Sequence, residues 1–475
     1  MTAKIKEACG IFGAFAPQED VSRVTFFGLF ALQHRGQEST GIATTDGQKI
    51  HLQKGMGLVS QFFEEETLEK LKGFAAIGHN RYSTTGSSRE CNAQPILVGE
   101  GPNAMALAHN GNIVNSAYLR EELERKGVSF QTTTDSEVIA QLILTCPERT
   151  WVEKIKHAMH RLEGAYSLVM LTRDALIGVR DPFGVRPLCM GSLDGGWIIA
   201  SETCALDHMG ALFAGEVAPG EIVYIDGKGK QSYRQPSPRQ ALCVFEYIYF
   251  ARPDSSLSGN LIYPCRMSMG AHLAREYPVD ADMVIGVPDS ATAAGIGYAN
   301  ESGIPFGEAL IKNRYVGRTF IEPQQRLREL GVKLKFNPLY ELLRGKRIVV
   351  VDDSIVRGTT TPRVINMLRR AGAREIHMRV CAPPIKHPCF FGVDMASRWE
   401  LIAANKTISG IKEFIGADSL GYLSMEGLIE SVGVPAEKLC HACFSGEYPI
   451  PVQLAMDKLA LEHSEKEPVA AFSST

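Results

Sequence analysis

Two stretches in the second half of the chain repeat one order of elements, and this repeat limits the fold more than any other feature. Residues 281–303 (ADMVIGVPDSATAAGIGYANESG) and 346–373 (KRIVVVDDSIVRGTTTPRVINMLRRAGA) each begin with an apolar run, pass through a short polar loop and end in a helix-like stretch near a glycine. Repeated strand, loop and helix units are typical of a parallel sheet, which binds ligands at the carboxyl ends of its strands. We therefore predict an α/β domain in this half.

The first half has a different pattern. Short β-type runs such as GIFGAF, AAIGHNRY and YSLVMLT alternate with helix-like stretches such as DSEVIAQLILT, which favours an α+β domain with packed sheets. A polar segment rich in Gly, Ser and Pro, residues 227–240, separates the halves. Because 475 residues exceed what one core usually organises, we predict two domains, 9–235 and 236–475.

Composition excludes several classes of protein. The net charge of -3 argues against a nucleic-acid or membrane-surface partner recognised by overall charge. No apolar run reaches the roughly 18 residues of a membrane span, and the residues before Cys9 lack the apolar core of a secretory signal. Eleven cysteines, an odd number in a long chain, do not suggest a secreted disulfide framework. We expect a cytoplasmic protein.

The string VVVDDSIVRGTT predicts a phosphate and metal site. It places Asp352 and Asp353 at the end of a strand, followed by a loop that contains Ser354, Arg357, Gly358, Thr359 and Thr360. Backbone N–H groups, hydroxyls and the helix dipole of such a loop suit a phosphate, and the carboxylates suit Mg²⁺ or a ribose diol. Two adjacent aspartates alone would equally fit a solvated loop with a helix cap, but the whole string resembles the phosphoribosyl pyrophosphate (PRPP) signature of type I phosphoribosyltransferases.

Two neighbouring segments extend this site. Ser290, in GVPDSATAAGIG, either faces the same pocket or caps a helix. The basic segment 310–336 contains Lys312, Arg314 and Tyr315. A charged run is usually a solvated face, but basic residues interleaved with glycine and aromatic residues favour a lid that closes over a pyrophosphate.

The first half carries residues suited to amide hydrolysis. Acyl transfer needs a nucleophile, for which Cys9 is the candidate, and oxyanion donors, for which Asn110 and the Gly111 N–H are candidates. Arg81 can pair with a substrate carboxylate and Asp135 with its ammonium group.

A general base is missing from this set. His79 and His109 each lie in an apolar run and fit a hydrogen-bonded strand residue at least as well as a base. If Cys9 were the first residue, its α-amine, with an unperturbed pKa near 8, could accept the thiol proton. We therefore interpret residues 1–8 as a propeptide.

Four cysteines suggest a metal site. Cys440 and Cys443 have a spacing that suits metal ligation, and Cys243 and Cys389 are candidate partners beside aromatic residues. The pair alone also fits a redox motif or a zinc site.

Several motifs together resemble a known family. CGIFG, LQHRGQESTGI, GHNRYSTTGSS and HNGNI resemble the N-terminal-nucleophile (Ntn) glutaminase domain of class II glutamine amidotransferases. FEYIYFARPDS, KNRYVGRTFI and VVVDDSIVRGTT narrow the resemblance to the amidophosphoribosyltransferase family, from Cys9 to about Gly446. The resemblance implies an αββα Ntn hydrolase domain, a type I phosphoribosyltransferase domain, and synthesis of 5-phosphoribosylamine from glutamine and PRPP in purine biosynthesis.

The resemblance also implies roles for residues. Cys9 would be the nucleophile and Asn110 with Gly111 the oxyanion hole. The glutamine site would comprise Arg35, Gly36, Arg81 and Asp135. The PRPP site would comprise Lys312, Arg314, Tyr315, Asp352, Asp353, Ser354, Arg357, Gly358, Thr359 and Thr360, with Mg²⁺ at Ser290, Asp352 and Asp353.

The family divides into members with and without a [4Fe-4S] cluster. The chain resembles the Bacillus type of the family, which has a cluster and a short propeptide, because it has four matching cysteines: Cys243, Cys389, Cys440 and Cys443. The resemblance further implies inhibition by purine nucleotides (AMP, GMP, ADP) and a homotetramer.

Two other functions are weighed against this one. A PRPP-binding purine regulatory protein can carry a similar aspartate loop without transferase activity, but such proteins have a DNA-binding domain in place of a glutaminase. Other class II amidotransferases, such as glucosamine-phosphate or asparagine synthases, transfer nitrogen to a different acceptor, and the PRPP loop argues against them.

Overall fold

The computed structural model of the protein describes residues 9–82, 87–313, 336–395, 398–452 and 461. These residues form two compact units. We call residues 9–242 with 390–395, 449–452 and 461 the first unit, and residues 243–389 with 398–448 the second unit. The division after Leu242 lies close to the predicted boundary at 235, whereas the return of residues 390–395 to the first unit was not expected from composition. None of the described helices is both long enough and apolar enough to cross a membrane.

Two antiparallel sheets build the first unit. Their strand orders are β11-β9-β10-β1-β4-β2-β3 and β13-β12-β8-β7-β6-β5. The strands are β1 Gly10–Phe15, β2 Ser39–Thr45, β3 Ile50–Met56, β4 Ala75–Arg81, β5 Ile96–Val98, β6 Met105–Ile113, β7 Gly164–Thr172, β8 Leu176–Arg180, β9 Cys189–Leu193, β10 Gly196–Ala200, β11 Leu212–Glu216, β12 Glu221–Asp226 and β13 Gly229–Arg234.

Side chains of β1 alternate between two cores. Ile11 and Phe15 pack with Val169 of β7 between the two sheets, while Phe12 and Ala14 point to the other face and pack with Leu29. This alternation follows from the two-residue period of a strand. Because both faces of β1 are covered, the strand reads as a nearly continuous apolar run rather than as alternating polar and apolar residues.

Helices cover the outer face of each sheet. Val21–Ala31 and Thr203–His208 contribute to the core on the seven-stranded sheet, and Ser116–Arg125, Asp135–Leu144 and Trp151–Met159 contribute to the core on the six-stranded sheet. Two shorter helices, Val59–Phe62 and Glu65–Leu68, complete the first layer. The unit thus has the predicted αββα layers.

The second unit contains a parallel sheet of four strands in the order β17-β20-β21-β22. Shorter antiparallel pairs form between β14 and β23, β15 and β16, and β18 and β19. The strands are β14 Leu242–Cys243, β15 Ser256–Leu257, β16 Asn260–Leu261, β17 Met283–Gly286, β18 Leu310–Lys312, β19 Phe336–Pro338, β20 Arg347–Asp352, β21 Glu375–Val380, β22 Ser419–Tyr422 and β23 Leu439–Cys440.

The predicted parallel sheet is confirmed, with β17 and β20 supplied by the two repeated stretches. Its neighbouring helices are Ile262–Glu276, Thr292–Ser302, Tyr340–Leu343, Thr361–Arg370, Ile402–Asn405, Ile408–Ile415, Met425–Val432 and Ala442–Ser445, with a π-helical turn at Glu246–Phe250. Val350 in β20 packs with Val364 and Ile411 of two helices in one core.

Candidate active sites

Cys9 immediately precedes β1 and is buried, with 6% of its surface exposed. Its thiol lies 3.2 Å from the carbonyl oxygen of Tyr82, to which it donates, and 3.4 Å from the Tyr82 nitrogen. Burial raises the pKa of the Cys9 thiol. A buried neutral thiol is a weak nucleophile and needs a base to remove its proton.

The two histidines considered in the sequence are unsuited to that task. His79 and His109 are both buried, on β4 and β6, and the His79 Nε2 lies 3.0 Å from the carbonyl oxygen of His109. Burial lowers the pKa of His79 to about 3 and also lowers the pKa of His109. A lowered pKa makes each ring a weaker base than a free imidazole, and both rings lie within the core.

Asn110 and Gly111 lie near the end of β6. Asn110 is 1% exposed, and among the described residues neither Nδ2 nor Oδ1 of its side chain has a hydrogen-bond partner. A buried amide without a partner is costly, so this group is set to receive a ligand. Gly111 has φ of 150°, and a Cβ at this position would lie 2.0 Å from the carbonyl oxygen of Ala165. Only glycine fits there.

Arg81 and Asp135 both contribute to the electrostatic field at the Cys9 thiol, which places them around it. Asp135 begins the helix Asp135–Leu144, and its Oδ2 accepts a hydrogen bond of 3.1 Å from the Ile113 nitrogen. Arg81 ends β4 and donates from Nη1 to the Ser87 carbonyl oxygen at 3.2 Å. A cation and an anion thus both act on the thiol.

Arg35 is buried and holds the backbone of Cys9. It pairs with the buried Glu202 and donates from Nε to the Cys9 carbonyl oxygen at 3.2 Å. His34 lies 2.7 Å from the same Glu202 carboxylate, and the Gly36 carbonyl oxygen accepts from Gln33 at 2.6 Å. Glu202 was not predicted from the sequence. Its position in IIASETCALD, after a buried strand, gave no signal for a pairing across 167 residues.

In the second unit, Asp352 ends β20 and Asp353 follows it, and both are buried. The Asp353 carboxylate accepts hydrogen bonds from the Ser290 hydroxyl at 2.5 Å and from the Ser354 hydroxyl at 2.6 Å. Asp352 Oδ1 accepts from the Asp353 nitrogen at 3.0 Å. The two loops that the sequence placed at strand ends therefore meet at Asp353.

The predicted phosphate loop, residues 354–360, leads into the helix Thr361–Arg370 with Thr360 at its N-cap. Gly358 has φ of 66°. Arg357 pairs with Glu400, with distances of 3.1 and 2.7 Å from Nε and Nη2 to Oε2. Glu400 was missed in the sequence because it lies 43 residues away.

The predicted lid begins at the pair β18 and β19, in which Lys312 lies opposite Phe336. Lys312 forms an ion pair with Asp289. Arg314 and Tyr315 lie outside the described residues, as does the proposed propeptide, residues 1–8.

Four cysteines converge in the second unit. Burial raises the pKa of the Cys443 thiol, and the neighbouring Cys243, Cys389 and Cys440 raise it further. The Cys443 carbonyl oxygen accepts from the nitrogens of Lys386 and His387, at 3.0 and 3.1 Å. Across the described ranges, no three His, Cys, Asp or Glu residues are arranged to hold a single metal ion.

Comparison with known proteins agrees with the geometry. Residues 79–208 match the family described as "Glutamine amidotransferase domain". An amidophosphoribosyltransferase from Synechocystis sp. is 52% identical over 469 residues, which cover 97% of this chain and 95% of the relative. The amidophosphoribosyltransferase of Mycobacterium tuberculosis is 47% identical over 475 residues, covering 96% and 90%.

Solved structures give the same result. The glutamine phosphoribosylpyrophosphate amidotransferase of B. subtilis, complexed with ADP and GMP, matches with a TM-score of 0.89 and 45% identity, covering 94% of this chain and 98% of that one. A structure described as the allosteric regulatory enzyme of purine biosynthesis matches with a TM-score of 0.89 and 46% identity, covering 94% and 97%.

Proposed function

Because the chain belongs to the amidophosphoribosyltransferase family, we propose that its first unit hydrolyses glutamine at Cys9 and that its second unit aminates PRPP. The overall reaction converts glutamine, PRPP and water into 5-phosphoribosylamine, pyrophosphate and glutamate. Family membership leaves the alternative, a regulatory PRPP-binding protein, without support.

The observation that carries the proposal for the first unit is the buried Asn110 amide, which has no hydrogen-bond partner among the described residues. After removal of residues 1–8, the α-amine of Cys9 accepts the thiol proton, and the thiolate attacks the carboxamide carbon of glutamine. Asn110 Nδ2 and the Gly111 N–H then donate to the oxygen that becomes negative. Ammonia leaves with the transferred proton, and water hydrolyses the thioester to glutamate.

Glutamine is held by charges of opposite sign. Arg81 pairs with its α-carboxylate and Asp135 with its α-ammonium group. Arg35 and Gly36 belong to the same site. The contact from Arg35 Nε to the Cys9 carbonyl oxygen supports a role in holding the nucleophile's backbone.

In the second unit, Asp352 and Asp353 with Ser290 offer an all-oxygen donor set that fits Mg²⁺. When bound, Mg²⁺ neutralises charge on the pyrophosphate that leaves from C1 of PRPP. The 5-phosphate of PRPP is surrounded by the phosphate loop, through Ser354, Arg357, Gly358, Thr359 and Thr360. Lys312, with Arg314 and Tyr315, contacts the pyrophosphate, and ammonia attacks C1 as the pyrophosphate departs.

A [4Fe-4S] cluster is our proposal for Cys243, Cys389, Cys440 and Cys443. Sulfur donors suit iron–sulfur clusters, and the mutual effect of these thiols on the pKa of Cys443 supports their proximity. The reaction transfers no electrons, so the role of the cluster is structural.

Regulation follows from the same site. Purine nucleotides such as AMP, GMP and ADP resemble the ribose phosphate of PRPP and would compete for the phosphate loop. The B. subtilis relative was solved with ADP and GMP, which supports this proposal. We further propose a cytoplasmic homotetramer.

One assay tests the whole proposal. Purified protein is supplied with PRPP and Mg²⁺, and pyrophosphate release is measured with glutamine or with ammonia as nitrogen source. We expect release with both. A protein that binds PRPP but releases no pyrophosphate with either source would contradict the proposal.

A further inference from the structure

Residues 390–395, which we call the strap, lie in the first unit although Cys389 before them and residue 398 after them belong to the second. The strap is firmly packed. Its side chains at Phe390, Phe391, Val393 and Met395 are all buried. These four side chains are therefore shielded from solvent in the folded chain.

Two side chains of the first unit hold the backbone of the strap. Asn112 donates from Nδ2 to the Phe390 carbonyl oxygen at 2.9 Å. Arg186 donates from Nε and Nη2 to the Phe391 carbonyl oxygen, at 3.0 and 2.8 Å. Arg186 is completely buried. Water therefore does not compete for its two hydrogen bonds to the Phe391 carbonyl oxygen, which hold the strap in place.

Gly392 of the strap lies beside Gly111. Gly392 has φ of 98°, and a Cβ at this position would lie 3.0 Å from both the carbonyl carbon and the oxygen of Gly111 and 3.2 Å from Arg186 Nη2. A side chain at residue 392 would therefore sit closer to Gly111 than an ordinary van der Waals contact allows. The carbonyl group of Gly111, which begins the peptide to Asn112, therefore has Gly392 of the strap beside it.

We propose that the strap and Arg186 position the oxyanion hole: they hold the Asn110–Asn112 stretch so that the Asn110 amide and the Gly111 N–H meet the developing oxyanion. This inference rests on the function proposed above. Oxyanion donors stabilise the transition state only when they are already in place, and loss of one donor typically costs about 10²–10³ in kcat. Arg186 and the strap act through Gly111, and are positioning residues.

The test compares two glycine substitutions. Gly392→Ala introduces a Cβ against Gly111. Gly127→Ala is the matched control, since Gly127 has φ of 87° but no atom within 4 Å of its Cβ position. For Gly392→Ala we expect kcat for glutamine hydrolysis to fall about tenfold or more, with the KM for glutamine unchanged. Phosphoribosylamine formation from ammonia should remain at the wild-type level in both variants.

A second readout separates positioning from general damage. Iodoacetamide alkylates a thiol without forming an oxyanion, so its rate with Cys9 should be the same in Gly392→Ala and in the wild type. Arg186→Met should lower kcat like Gly392→Ala, and Arg186→Lys should recover part of it because one donor remains.

Equal kcat in Gly392→Ala and Gly127→Ala would overturn the inference. So would a parallel loss of alkylation and hydrolysis, which would indicate a merely structural role. A wild-type enzyme that makes phosphoribosylamine from ammonia but hydrolyses no glutamine would overturn the proposed glutaminase, and this inference with it.

Discussion

The thiol of Cys9 is hydrogen-bonded to the backbone of Tyr82: Sγ donates to the Tyr82 carbonyl oxygen at 3.2 Å and accepts from the Tyr82 nitrogen at 3.4 Å. Burial raises the pKa of the Cys9 thiol and favours its neutral form, whereas the backbone hydrogen bond with Tyr82 acts in the opposite sense. The proposed nucleophile therefore needs a base, and His79 and His109, whose pKa values burial lowers, are weak ones.

Cys9→Ala should abolish glutamine-dependent phosphoribosylamine formation and leave the ammonia-dependent reaction intact, because only the first reaction needs the nucleophile. Pyrophosphate release with each nitrogen source measures both. Cys146→Ala, which removes another buried thiol of the same unit, should retain both activities. Loss of both activities in a folded Cys9→Ala protein would refute the two-site scheme.

If the α-amine of Cys9 is the base, as proposed, an active enzyme should begin at Cys9. Mass spectrometry of the intact protein measures this directly. A fully active preparation that retains residues 1–8 would disprove the propeptide.

Asp352→Asn combined with Asp353→Asn should remove pyrophosphate release with either nitrogen source, because PRPP and its metal lose their ligands. Glutamine hydrolysis by the first unit can be followed separately as glutamate. Asp282→Asn is the control, since Asp282 precedes β17 at the opposite end of the sheet and pairs with Arg347. Ammonia-dependent turnover in the double variant would be inconsistent with the assignment.

Protein purified without oxygen should contain iron and acid-labile sulfide in a ratio of one to one, near four of each per chain as expected of a [4Fe-4S] cluster. Cys443→Ser should lower both. Cys265→Ser, which changes another buried thiol of the second unit, should not. If the protein contained stoichiometric zinc and no iron, the four cysteines would form a zinc site and the cluster assignment would be wrong.

Acidification should destabilise the first unit through His79. Its pKa is lowered from 6.5 to about 3 by burial, with Arg81, His109 and Lys54 as further contributors. The unfolded chain therefore binds a proton below pH 6.5 that the folded chain does not, so stability is complete above pH 6.5 and is lost as pH falls towards 3. The loss should be about 1.4 kcal/mol per pH unit.

Urea titrations at pH 7.5 and 5.5 measure this loss. Asp181 acts in the opposite sense, because burial raises its pKa to about 6. The informative quantity is therefore the difference between the wild type and His79→Gln, which should show the smaller loss on acidification. Equal losses would mean that His79 titrates normally in the folded protein.

Much of the architecture was predictable because it depends on local pattern. The repeated strand, loop and helix units predicted the parallel sheet, and the strings around Asp352 and Cys9 marked both candidate sites. Partners far apart in sequence were not predictable. Three such partners have no local sequence signature, because each gains its role only from a contact made by folding. They are Glu202, which pairs with Arg35, Glu400, which pairs with Arg357, and the strap, which lies beside Gly111.

The membership of the strap in the first unit also constrains the order of folding during synthesis. Chains emerge from the ribosome N-terminus first, so residues 9–242 are complete well before Phe390 is made. Until then Asn112 and Arg186 lack their acceptors on the strap, and the first unit cannot reach its final packing. A nascent chain, or one truncated before Cys389, therefore carries Cys9 in a first unit that still lacks these contacts, and we expect the chemistry proposed for Cys9 to wait until the strap has been made.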